Sequence, residues 1–130
     1  MTLYVVIGPP AAGKSTWVLA RAQPGDITID YDRLANALTG PQADTHDHAG
    51  ALRAVTFKAR EAAIQEAMRH TRDVNVYVIH SMPSLRILHG YKRQGAHIEV
   101  VDPGRATVLG RCTQQRPRQM IAVVERWYTE

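Results

Sequence analysis

The sequence has a single cysteine, Cys112, so no internal disulfide is possible, and no residue near it has metal-ligand spacing. It has one phenylalanine and three lysines, and the other 13 of its 16 basic residues are arginines. No apolar run approaches the length of a membrane span, and the longest run near the N-terminus, residues 3–7, is too short for a signal-peptide core. The chain therefore reads as cytoplasmic, with no membrane partner. Internal repeats, low-complexity tracts and linkers are also lacking, so 130 residues read as one domain over 1–130 with a core of useful size. A net charge of +4 points to anionic ligands without choosing among them.

One motif is complete. Gly8-Pro9-Pro10-Ala11-Ala12-Gly13-Lys14-Ser15 fits G-x-x-x-x-G-K-[ST] at every fixed position, directly after Leu3-Tyr4-Val5-Val6-Ile7. A strand delivering the chain into such a loop turns backbone N–H groups inward around phosphates, and the following helix adds its positive N-terminal end. Gly8 to Thr16 are thus expected to cradle a nucleoside triphosphate, with Lys14 on the β- and γ-phosphates and the Ser15 hydroxyl on Mg²⁺.

The rest of the pattern alternates. Segments 26–30, 73–80 and 97–102 read as further strands. Helices are expected over 15–23, 32–38, roughly 48–72 with Leu52, Val55, Ala59, Ala62 and Ala63 as its stripe, and 83–94 with Ser81 as N-cap. Two more follow, one opened by Asp102-Pro103 and one starting at Pro117. This predicts an α/β fold of three layers, a short parallel sheet flanked by helices, with ligands beyond the carboxyl ends of the strands.

That placement selects the chemistry. Asp32, after the second strand, is the candidate base for an acceptor hydroxyl, although it also reads as the N-cap of a helix beginning at Leu34; Asp30 is a second candidate or a Mg²⁺ contact. Arg111, Arg116 and Arg118 surround a break between the last two helices, where a mobile basic flap would neutralise charge in phosphoryl transfer. His80 and Ser81 stand at the end of the third strand, where an acid is missing, and read as substrate contacts. Residues 44–48 (Asp44-Thr45-His46-Asp47-His48) lack metal spacing and read as a polar loop and helix N-terminus. Arg53, Lys58, Arg60, Arg69 and Arg72 on the long helix read as a solvated face or a nucleic-acid contact.

Taken together, the chain resembles the P-loop kinase group, and most closely the kinase domain of phage-type polynucleotide 5′-hydroxyl kinases. The resemblance rests on the loop running through Ser15-Thr16-Trp17, on Ile29-Asp30-Tyr31-Asp32-Arg33, and on Arg111 with Arg116-Pro117-Arg118. It implies ATP and Mg²⁺ as cofactors, Asp32 as general base, Arg33 near an acceptor phosphate, and an arginine-bearing lid. It further implies a phage- or bacterium-encoded intracellular enzyme whose acceptor is a single-stranded DNA or RNA end or a nucleotide. Zeta-toxin-like and small-metabolite kinases share these features, and a nucleotide-binding module with weakened catalysis is the reading from another class.

Overall fold

Four apolar runs become four strands, and the polar-flanked segments between them become helices. In the computed structural model, which describes residues 1–41, 48 and 50–129, the order is β1 (Leu3–Ile7), α1 (Lys14–Arg21), β2 (Ile27–Ile29), α2 (Tyr31–Leu38) and α3 (Gly50–Ala67). A 3₁₀ turn (Met68–His70), β3 (Val76–His80), α4 (Leu85–Arg93), β4 (His97–Val100), α5 (Arg105–Gln115) and α6 (Met120–Thr129) follow. Residues 44–47 lie outside the described residues, and no described helix is long and apolar enough to cross a membrane.

The sheet is parallel, in the order β2-β3-β1-β4. Strand alternation sends Leu3, Val5 and Ile7 to one face, where they meet Ile64 and Ala67 of α3 and Tyr91 of α4. Val6 joins Tyr77, Ile79 and Val18 of α1 on the other. This is the three-layer α/β arrangement that the alternating pattern predicts. A third cluster joins Val108 and Cys112 of α5 and Val124 of α6 to Ala11 and Ala12 of the phosphate loop. The register aligns Ile7 with His80 and with Val100, so Gly8, Ser81 and Val101 leave the sheet at one level. The connections leave β1 towards β2 on one side and reach β4 on the other, which opens a crevice at the end of β1.

Several boundaries differ from the pattern. Ser84, not Ser81, caps α4, accepting from Ile87 N–H at 3.2 Å, and Ser81 stays at the strand end. Asp102 does not cap α5. Its carboxylate accepts from Tyr128 Oη and from Gly104 N–H, and the helix begins after Gly104, whose φ of +107° turns the chain. The last helix begins at Met120 because Pro117, Arg118 and Gln119 are spent on a turn. On α3 the buried stripe is Thr56, Ile64 and Ala67, and Val55 and Ala62 face solvent.

Candidate active site

Gly8 follows β1 without a side chain because it cannot carry one. A Cβ there would stand 2.2 Å from the Val101 carbonyl oxygen, and Val101 is tied to β1 through its N–H on Ile7 O at 2.8 Å. The loop then turns through Ala11 at φ +62° and Gly13 at φ +100°, left-handed conformations that aim successive N–H groups inward. Ala11 adopts a conformation that favours glycine, held by the cluster that buries its side chain with Ala12. Pro9, Pro10 and Ala12 are buried as well, so the loop is fixed from beneath.

Lys14 opens α1 and folds back over its own loop, donating to the Gly8 and Pro9 carbonyls at 2.7 Å each. Burial lowers its pKa to about 8, with Arg116 adding repulsion and Asp30 and Asp32 opposing both. Ser15 Oγ donates to Asp30 Oδ2 at 2.5 Å. Asp30 is itself buried at the end of β2, and its other oxygen accepts from Asp32 N–H at 3.1 Å. Asp30, and not Asp32, is therefore the N-cap of α2. The Asp32 carboxylate points into the cleft, 3.0 Å from His48 Nε2, whose side chain is only 3% exposed.

A cleft of about 1320 Å³ joins these parts. Lys14, Ser15, Thr16, Asp30 and Asp32 line it, with His80 and Ser81 from the end of β3 and Arg111 and Arg116 from α5 and its end. Arg111 leans over the loop, its Nη1 3.5 Å from Ala12 O. Two expected contributors are not brought in. Arg33 projects outward and donates to Thr28 Oγ1 at 3.3 Å, because the register of α2 that turns Asp32 inward turns its neighbour away. Arg118 is exposed in the α5–α6 turn and does not line the cleft.

His80 is neutral under ordinary conditions. Burial lowers its pKa to about 4, the Arg60 charge adds to this, and its Nε2 lies 2.7 Å from Tyr91 Oη. The pattern did not single out His48 or Phe57 for the site, and it placed Arg60 on a solvated or nucleic-acid-facing side of α3. In fact Arg60 is half-buried and lines the cleft beside Phe57 and Arg53. One signal was available: Arg60 is a cation four residues after Thr56 and four before Ile64, inside the buried stripe. His48 had none, being 16 residues from Asp32 at a junction that reads as polar loop and helix N-terminus.

A glycine-and-lysine loop at the switch point of a parallel sheet defines a P-loop NTPase-like domain. A family model for the AAA domain matches residues 3–125, and the chain belongs to that family, a P-loop NTPase-like group that includes kinases. No curated protein gives a match to the chain.

Proposed function

We propose that the protein is a kinase that transfers the γ-phosphoryl group of ATP to a hydroxyl of a nucleic-acid end or nucleotide-like acceptor. The observation that carries this reading is the Asp32 carboxylate, free of capping duty and aimed into the same cleft as Lys14. A domain that only binds nucleotide has no need of a second carboxylate held by a buried histidine on the far wall.

In the proposed reaction, Gly8 to Thr16 hold the triphosphate, and Lys14 exchanges its two carbonyl partners for phosphate oxygens. The donor set at Ser15 and Asp30, a hydroxyl and a buried carboxylate 2.5 Å apart, consists of hard oxygens and fits Mg²⁺. Such an ion would neutralise charge on the phosphates. Asp32, positioned by His48, accepts the proton of the acceptor hydroxyl as its oxygen bonds to the γ-phosphorus. The bond to the β-phosphate oxygen breaks, ADP leaves, and Arg111 and Arg116 offset the charge that develops.

Incubation with γ-labelled ATP and a panel of 5′-hydroxyl oligonucleotides, nucleosides, nucleotides and small alcohols tests this. Transfer to no acceptor, despite a rise in Tm with ATP, would refute the kinase reading and leave a nucleotide-binding module. With transfer in hand, Asp32→Asn is expected to lower kcat by about 10²–10⁴ while leaving the ATP-induced rise in Tm unchanged. An oligonucleotide acceptor predicts activity that falls steeply with salt, and a neutral metabolite does not.

A further inference from the structure

Arg60 is a cation in the buried stripe of α3, between Thr56 and Ile64, which are both buried. Its Nη2 donates to Ile79 O at 2.8 Å, at the end of β3, and its Nε is enclosed with no hydrogen-bond partner. Among the described residues no carboxylate lies within ion-pair distance of it. A guanidinium keeps its proton, and placing one away from water without an anion or full hydrogen bonding destabilises a fold.

The neighbours do not fill the gap. His80, where the strand end lacks an acid, is neutral and turned to Tyr91. Asp30 acts on Arg60 through space, but its two oxygens serve Ser15 and the α2 cap. Among the described residues none supplies an anion to Arg60, and the cleft that it lines is open to one from outside the chain.

The charges acting on Lys14 are Arg116, Asp30 and Asp32, whereas those acting on Arg60 are Tyr91, Asp30 and Glu61. Both cations line the cleft, and the Asp30 carboxylate acts on both. Along α3, Arg53, Phe57 and Arg60 recur at i, i+4 and i+7 and all line the cleft, and Phe57 is 52% exposed.

We propose that Arg60 is the specificity-determining residue for the acceptor, which carries an oxyanion, a phosphate or a carboxylate, that pairs with its guanidinium. This rests on the kinase reading of the cleft. The planar fork of arginine matches both oxyanions, and the exposed Phe57 ring gives the body of the acceptor an apolar surface.

The test uses the full chain saturated with Mg²⁺ and the β,γ-imido analogue of ATP, so that the phosphate loop is filled. Inorganic phosphate and acetate are then titrated in separate calorimetric arms. At least one should bind the wild type, and which one binds assigns the oxyanion. Arg60→Gln should weaken that binding at least tenfold and Arg60→Lys less, with the affinity for the ATP analogue changed less than twofold. The lysine variant keeps the charge and a donor for Ile79 O, so it reports even if the glutamine variant fails to fold. Binding of neither anion to the wild type, or equal binding to wild type and both variants, overturns the proposal. Anion binding through Arg60 without transfer to any hydroxyl removes the kinase reading and leaves the anion site. Equal kcat/KM for acceptors with and without an anionic group does the reverse.

Discussion

Gly8→Ala should damage both the fold and the nucleotide site, and the size of the effect follows from one contact. The added methyl would lie 2.2 Å from Val101 O, whereas ordinary contact begins at 3.4 Å, so one backbone must retreat by about 1 Å. Retreat of Val101 strains its N–H bond to Ile7 O; retreat of the loop displaces the Gly8 carbonyl that holds Lys14. Overpacking costs about 1–3 kcal/mol, and a weakened backbone hydrogen bond adds about 0.5–1.5 kcal/mol. A total near 2–4 kcal/mol corresponds to a Tm lower by about 5–15 °C in a chain of this size. Thermal unfolding followed by circular dichroism, with and without Mg²⁺ and ATP, measures both effects. The rise in Tm with ATP should also shrink, since a tenfold loss of affinity removes about 1.4 kcal/mol of ligand stabilisation. Gly110→Ala is the control. Gly110 lies within α5 with nothing within 4 Å of its would-be Cβ, so alanine should be neutral or stabilising by up to about 1 kcal/mol. A Gly8→Ala protein within about 2 °C of the wild type, with the same response to ATP, would refute the close-approach argument.

Two further predictions concern buried bases. Between pH 8 and 10.5 the unfolded chain holds a proton that folded Lys14 has released, so stability rises with pH through that window, and at pH 7 the buried ammonium is a burden. Lys14→Met should therefore raise Tm at pH 7 without nucleotide, by about 1–3 kcal/mol of stability, while abolishing the rise with ATP; a lower Tm would contradict the burial argument. His80 has the same sign in a lower window. The unfolded chain takes up a proton between pH 6.5 and about 4 that folded His80 refuses, so stability falls on acidification through that range. His80→Gln should flatten the dependence of Tm on pH there, and an unchanged slope would show that other groups cause it.

The architecture was legible because it rests on local signals. Four β-branched runs, proline and glycine breaks, and a loop with four fixed positions place the elements almost without tertiary information, and the sheet then brings Asp30, Asp32, His80 and Ser81 to one edge. What failed depended on which way a side chain turns within a correct element. Arg33 and Asp32 are adjacent, and only the start of α2 at Tyr31 decides which faces the cleft. The cap of that helix is Asp30 and not Asp32, a choice sequence cannot make because the two have the same chemistry and the extended backbone angles of Asp30 decide it. The capping role of Asp102 was lost to Tyr128, a partner 26 residues away. Arg60 was hidden by the assumption that charge on a helix marks its solvent face, and the small residues around it masked the true stripe.

The cluster that joins Ala11 and Ala12 to Val108, Cys112 and Val124 has a consequence for how this protein can be changed. The α5–α6 hairpin, also clasped by Arg105 on Glu125, is not an independent flap set over a finished loop, since its apolar root is the floor on which the loop rests. Exchanging that hairpin for the lid of a relative would remove the support beneath Ala11 along with the arginines it carries. Loop and hairpin share one apolar core, and a viable graft must transplant both.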